Sequence, residues 1–293
     1  MCCGLHGSKF DETAEPRASM AKRSKPSRQG ERWSFLWNYR RGTATIPAQP
    51  VRRVFIPKPD GRQRPLGIPG VKDRVAQAAV KIVIEPLFEA SFRPGSYGFR
   101  PKRSAKQAIY DILKWVTYGY DQVIDLDLKS YFDTIDHELL IKLVRRRVRD
   151  PRVLRLIRQW LKAGVLHEGV LEETVVGSPQ GAVISPLLSN IYLHPLDLFW
   201  EQKVKATKMV RYADDLVVLC RWKPPETYMP KLRQFLSRLR VTVNDDKTRI
   251  VRAQDGFDFL GVHFGNNLRG VMPASRSVIV GHRGVRCSGF GIR

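Results

Sequence analysis

The segment Arg211-Tyr-Ala-Asp-Asp-Leu-Val-Val-Leu-Cys220 sets two adjacent carboxylates between short apolar runs. Met209-Val210 before them and Leu216–Cys220 after them read as strands, so Tyr212–Asp215 falls at or beside a hairpin tip. Carboxylates held side by side on a structured turn repel each other until a proton or a cation offsets the charge. The usual offset in a basic protein is a divalent ion, for which carboxylate oxygen is the preferred ligand. Turns also favour Asp for local hydrogen bonding, so an isolated Asp-Asp pair is more often structural than ligating. A second acidic segment, Val123-Ile-Asp-Leu-Asp-Leu-Lys129, shifts that balance. Strand alternation puts Ile124, Leu126 and Leu128 on one face and Asp125 and Asp127 on the other. Two Asp on one strand face are costly unless something positive sits there. Asp127, Asp214 and Asp215 brought together would form a hard-cation site able to hold two Mg²⁺ for in-line phosphoryl displacement.

Such a site requires a sheet that brings two strands together, and the chain is long enough to build one. Its 293 residues can bury a core as one large domain or two small ones. Order is expected to begin at Val51–Ile56, a strand followed by a turn at Pro59-Asp-Gly61 and a second strand into Ile68. Asp73 is positioned to cap a helix running through Val75, Ala79, Val80 and Ile82, with Pro86 ending or kinking it. Ser104, Asp136 and Asp150-Pro151 read as three further helix starts. Ile184–Trp200 and residues 226–240 read as helices, Val241–Val243 and Ile250-Val251 as strands. If the segment after Asp127 is a strand, Tyr131 and Phe132 point to opposite sides. The sum is an α+β arrangement, an antiparallel sheet with helices packed on the face away from the acids.

Lys plus Arg number 51 against 28 Asp plus Glu, a formal charge of +23. That excess points to polyphosphate partners, and the acidic cluster within it argues for a nucleic-acid enzyme over a merely basic binder. Lys142, Arg145, Arg146, Arg147, Arg149, Arg152, Arg155, Arg158 and Lys162 crowd the helices after Asp136 and Asp150. They form either a solvated face or a phosphate track for a template strand. No apolar run approaches the roughly 18 residues needed to span a bilayer. Cys2, Cys3, Cys220 and Cys287 lack metal-binding spacing, and His137, His194 and His263 lack ligand spacing, so all are read as structural or incidental. The N-terminus lacks the pattern of a secretory signal, and a cytoplasmic protein is expected.

Asp127-Leu-Lys-Ser-Tyr-Phe-Asp133, Gly177-Ser-Pro-Gln-Gly181 and Tyr212-Ala-Asp-Asp215 resemble motifs A, B and C of reverse transcriptases, in that order. Pro50–Gly61, Arg64-Pro-Leu-Gly-Ile-Pro69, Ser96-Tyr-Gly-Phe-Arg-Pro101, Gln180–Pro186 and Phe259-Leu-Gly261 are similar, more narrowly, to the bacterial group II intron reverse transcriptase/maturase family. The resemblance implies a right-hand polymerase palm with a fingers subdomain over residues 48–265, after a basic, mobile segment 1–47 and before a Gly/Arg-rich tail 266–293. It implies an RNA-directed DNA polymerase using two Mg²⁺, with Mn²⁺ as a substitute, an RNA template (intron RNA), a DNA primer and dNTPs.

The resemblance also distributes roles. Asp127 and Asp214 would ligate both ions, with Asp215 beside them and the Leu128 carbonyl as a further ligand. Phe132 would pack under the nucleotide sugar, where a flat ring collides with a 2′-hydroxyl and so selects deoxynucleotides. Lys58 and Arg64, on either side of the Pro59–Gly61 turn, would clamp the triphosphate. Gln180 would lie against the incoming nucleotide, and Gly181 would let backbone approach the base pair. Lys247 would protonate the leaving pyrophosphate or simply contact phosphate. Phe259-Leu-Gly261 would form a hairpin gripping the primer. The family's N-terminal block, helical thumb, DNA-binding region and endonuclease are not recognisable. Two rival readings share much of this pattern: a non-catalytic RNA-binding splicing cofactor, and a reverse transcriptase of a retron or antiviral system.

Overall fold

The computed structural model describes residues 48–57, 61, 63–167, 170–172, 176–178 and 181–265. Lys58, Gln180, the segment before residue 48 and the Gly/Arg-rich tail lie outside them. The central sheet has the order β6-β7-β3-β8 and is antiparallel throughout. Its strands are β3 (Gln122–Leu126), β6 (Thr207–Tyr212), β7 (Asp215–Cys220) and β8 (Arg249–Arg252). A second sheet has the order β2-β1-β4-β5. It joins the hairpin β1 (Val51–Pro57) and β2 (Gln63–Ile68) to a short pair, β4 (Val165–His167) and β5 (Val170–Glu172). A third pair, β9 (Phe257–Phe259) and β10 (Val262–Phe264), turns at Leu260-Gly261, both at positive φ. The expected hairpin around Phe259-Leu-Gly261 is therefore present.

Alternation along β3 and β7 sorts their side chains between two cores. Ile124, Leu126, Leu216, Val218 and Cys220 join the larger core with five helices of nine or more residues. These are α1 (Val71–Glu89), α4 (His137–Arg145), α5 (Pro151–Leu161), α6 (Ser185–Lys203) and α7 (Met229–Arg238). Val123, Val217 and Leu219 face the other way, against α2 (Ala105–Thr117) and the β9–β10 hairpin. The acid-bearing face is thus covered over part of its length, contrary to the expectation of helices on the opposite face alone. The reason is that Val123, Val217 and Leu219 make that end of the face apolar, leaving only the Asp125–Asp127 end open.

Local signals behave as expected where the partner is close in sequence. Ser104 and Gln107 form a reciprocal capping box at the start of α2. Asp136 Oδ1 accepts from Leu139 N at 2.7 Å at the start of α4, and Asp150 with Pro151 opens α5. Asp73 differs. The N-cap of α1 is Gly70, while Asp73 is buried and accepts from Trp160 Nε1 at 3.2 Å and from Gln49 N at 3.1 Å. A buried carboxylate is worth more to those distant donors than to its own helix terminus. Pro86 lies inside α1, which continues to Glu89. Val241–Val243 is not a strand and makes only a single bridge, Leu128 to Val243. No helix among the described residues is long and apolar enough to cross a membrane.

Candidate active site

The Tyr212–Asp215 segment is a two-residue hairpin between β6 and β7, with Tyr212 paired to Asp215. Ala213 occupies its turn at φ 57°, a left-handed conformation that disfavours a side chain. The turn is held from below by Arg211, whose side chain is fully buried. Its guanidinium donates to Asp197 Oδ1 at 2.9 Å and Oδ2 at 2.6 Å, to Asn190 Oδ1 at 2.9 Å, to Ser96 Oγ at 2.7 Å and to the Ala213 carbonyl at 2.8 Å. A buried charge persists only when paired and hydrogen-bonded, and here a forked carboxylate and three further oxygens meet that demand. The nearby carboxylates keep the guanidinium charged despite burial, which opposes them.

The Ser96–Arg100 segment completes this support. Arg211 N donates to the Gly95 carbonyl and Tyr97 N to the Arg211 carbonyl, both at 2.8 Å. A Cβ placed on Gly98 would stand 2.2 Å from Ala213 N, so this close approach needs glycine. Arg100 donates to Glu89 and to the carbonyls of Arg93 and Ser96, fixing the far end of the segment on α1. The role of Arg211 was missed in the sequence. The signal that could have found it is the pair Asn190 and Asp197, seven residues apart on one buried face of α6.

Antiparallel pairing of β3 with β7 runs to Leu126 opposite Leu216. One step further, that register sets Asp127 opposite Asp215. Both line a cleft of about 470 Å³ with Asp125, Asp246, Asp258, Lys247, Arg249 and His263. Asn244 Nδ2 donates to Asp127 Oδ2 at 2.8 Å, Asn244 N donates to the Asp127 carbonyl at 2.9 Å, and Lys247 Nζ stands 3.9 Å from Asp127 Oδ1. The Asn244–Thr248 segment is therefore folded onto Asp127 itself. Burial pushes the Asp125 carboxyl up to about 6; Arg249 opposes the shift, and the negative charges of Asp127 and Asp258 add to it.

Asp214, next in the chain to Asp215, is not among the residues that line that cleft. It lies in the turn, where its charge acts on buried Tyr131 and Arg211. Among the described residues no three His, Cys, Asp or Glu side chains stand at metal-ligating spacing. The donor chemistry nonetheless fits a hard divalent ion: oxygen ligands only, from two adjacent strand ends, in a local excess of negative charge. Leu128 is buried and bridged to Val243.

Phe132 is not on a strand. Ser130 takes a left-handed conformation (φ 46°, ψ 43°) and turns the chain into α3 (Tyr131–Thr134). Tyr131 and Phe132 consequently touch edge to face, centroids 5.2 Å apart, instead of pointing apart. Tyr131 is buried and donates to the Ser189 carbonyl at 3.0 Å, while Phe132 is half-buried. Ser178 N donates to the Phe132 carbonyl at 2.7 Å and Gly177 N to the Ile135 carbonyl at 2.9 Å, so the segment leading to Gln180 is fastened to the one following Asp127. Gly181 has φ 109°, and a Cβ there would lie 3.1 Å from the Gly67 carbonyl of β2. Arg64 is paired across the β1–β2 hairpin with Ile56. His137 is buried, with Nε2 2.5 Å from the Gly177 carbonyl, and burial lowers the pKa of His194. Cys220 is buried, and its thiol is pushed up to about 12, as befits an inert core residue.

The sequence profile of the family described as reverse transcriptase (RNA-dependent DNA polymerase) matches residues 56–264, more than half of the chain. The chain is similar to protein YkfC of Escherichia coli strain K12, 38% identical over 250 residues that cover 72% of this chain and 66% of that protein. It is also similar to the group II intron-encoded protein LtrA of Lactococcus lactis subsp. cremoris, 44% identical over 156 residues that cover 53% of this chain and 26% of that protein. The chain thus spans about two-thirds of one of these relatives and about a quarter of the other. Among solved structures, the apo telomerase of Candida tropicalis shares its fold with a TM-score of 0.57 at 13% identity, over 80% of this chain and 52% of that one. At that identity the likeness speaks for fold alone, the α+β right-hand polymerase arrangement with β6-β7-β3-β8 as the palm sheet.

Proposed function

Because the chain belongs to the reverse transcriptase (RNA-dependent DNA polymerase) family, and its named relatives include group II intron-encoded proteins, we propose that it extends a DNA primer on an RNA template from dNTPs. The observation that carries this reading is the strand register that sets Asp127 and the Asp214-Asp215 turn at neighbouring strand ends. Asp127, Asp214 and Asp215, with the Leu128 carbonyl, would hold two divalent ions, Mg²⁺ by preference. When bound, such ions neutralise charge on the reacting and leaving phosphates.

The chain's own residues account for the remaining steps. Asn244, donating to Asp127, fixes one carboxylate oxygen, and the other stands 3.9 Å from Lys247 Nζ. Lys247, beside that carboxylate, is placed to meet the leaving pyrophosphate as a proton donor or as a point charge. Phe132, next to buried Tyr131, excludes a 2′-hydroxyl by bulk. By the resemblance of the motifs they belong to, Lys58 and Arg64 would clamp the triphosphate and Gln180 would lie against the incoming nucleotide. Intron RNA is the natural template by analogy with the relatives' names. The β9–β10 hairpin, which closes one side of the cleft, is suited to grip the primer.

Primer extension on an RNA template with dNTPs and Mg²⁺ tests the reading. Asp214→Asn is expected to abolish extension while leaving RNA binding within about twofold, since basic surface supplies most of the affinity. Equal loss of binding and extension would favour an RNA-binding cofactor that uses the palm as a scaffold.

A further inference from the structure

The central sheet has a second functional-looking end. Antiparallel pairing places the start of β3 beside the end of β7 and the start of β6, with Gln122 and Thr207 both opposite Cys220. This end lies roughly 17 Å from the carboxylates, at about 3.4 Å per residue along β7. Aromatic and cationic side chains alternate there. Trp115 has Lys208 Nζ at 4.4 Å and Lys114 Nζ at 4.8 Å from its ring centroid. It meets Tyr118 and Tyr120 edge to face, at 5.8 and 5.6 Å. The Arg221 guanidinium lies 5.8 Å from the Tyr120 ring and 4.9 Å from the Trp222 ring.

The outermost rings face water. Trp222 is 77% exposed and Tyr118 53% exposed. Burial does not explain them, and the backbone at Trp222 makes that exposure more pointed. Lys223 N donates to the Arg221 carbonyl at 2.9 Å, and Trp222 sits between them at φ 71°. This is the positive-φ form of the three-residue turn, which bulky residues seldom adopt. The segments 114–122, 205–208 and 221–223 carry five cations, Lys114, Lys205, Lys208, Arg221 and Lys223, against the single acid Asp121. Asp111, Asp197 and Glu201, which line a pocket with Trp115 and Lys208, are engaged by Tyr97, Arg211 and Arg93 respectively. A local charge of that sign, interleaved with exposed rings, matches single-stranded nucleic acid: phosphates for the cations, unpaired bases for the rings. A duplex keeps its bases stacked inside and offers the rings nothing.

We propose that this end of the sheet is a second nucleic-acid contact, in which Tyr118 and Trp222 stack on unpaired bases of a single strand and the flanking cations hold its backbone. The contact is separate from nucleotidyl transfer and is tested by binding alone. Fluorescence anisotropy of the full chain with a short single-stranded RNA, and with the same sequence as a blunt duplex, reads it. Tyr118→Ala combined with Trp222→Ala should weaken single-strand binding about tenfold, with duplex binding changed less than about twofold. The salt dependence should keep its slope, because no charge is removed. Trp222→Phe should retain most of the affinity, since a ring remains. Trp222→Ala alone, at the more exposed ring, carries the same test should the double variant be destabilised. Unchanged single-strand affinity, or equal losses on single strand and duplex, would overturn the proposal.

Discussion

Phe132 and Tyr131 illustrate how a one-residue difference in position separates packing from recognition. Tyr131 is 2% exposed and spends its hydroxyl on the Ser189 carbonyl, so it is committed to the core. Phe132 packs against that core with only part of its ring and keeps a half-buried edge. Truncating it should cost at most the roughly 3–5 kcal/mol seen for buried Phe→Ala, and less for a ring left partly exposed. If the ring guards the sugar, Phe132→Ala should raise ribonucleotide incorporation relative to deoxynucleotide incorporation. The ratio is the informative quantity, because general destabilisation lowers both rates together. An unchanged ratio in a folded, active variant would reduce Phe132 to a core residue.

Elements meet at the β6–β7 turn through two devices, a close backbone approach and a buried ion pair. Gly98 lies against Ala213 N where no Cβ fits, so Gly98→Ala must displace either the turn or the Ser96–Arg100 segment. Extension should fall by about tenfold or more, since a displacement near 1 Å at reacting groups can cost two orders of magnitude. RNA binding should be unaffected. Asp197→Asn removes the charge partner of Arg211, whose pair distance is 2.6 Å with side chains 0% and 5% exposed. Leaving a guanidinium buried without its countercharge should cost about 3–5 kcal/mol, measurable by denaturant unfolding. Retained stability in that variant would mean that Asn190, Ser96 and the Ala213 carbonyl suffice for Arg211.

Across the whole molecule, charge is segregated by task. The chain carries +23 overall, yet five Asp line the one cleft that also holds Lys247. Lys142, Arg145, Arg146, Arg147 and Arg149 are exposed around the end of α4, and Arg152 and Arg155 along α5, so their charges face water. Some are tied up: Arg152 pairs with Asp150, and Arg158 with Glu138. Binding to RNA should therefore weaken linearly in log affinity against log salt, with a slope near −0.7 per phosphate neutralised on a single strand. Substituting Arg145, Arg146 and Arg149 together by Gln should flatten that slope by about two. A slope left unaltered would mark these arginines as a solvated face.

What the sequence determined by itself was the chemistry and the local geometry. Carboxylates on two segments, apolar runs flanking them, the caps at Ser104, Asp136 and Asp150, and the hairpin at Leu260-Gly261 all depend on residues within a few positions of one another. Such signals survive in a one-dimensional reading because the partner is always near. The α+β class followed from them, and the palm from the resemblance carried by the motifs at Asp127–Asp133, Gly177–Gly181 and Tyr212–Asp215. Tertiary structure decided the rest. Asp73 abandons its helix end for Trp160, 87 residues away, and Arg211 reaches Ser96 across 115. Ser130 turns left-handed, so Tyr131 and Phe132 share a helical turn where alternation had set them apart. Asp127 and Asp215 share the cleft lining because strand register carries them to opposing positions, although 88 residues separate them in the chain. Burial is the common cause. A buried charge must find its partners wherever the packed chain brings them, and nothing in the spacing of letters states how far away that is.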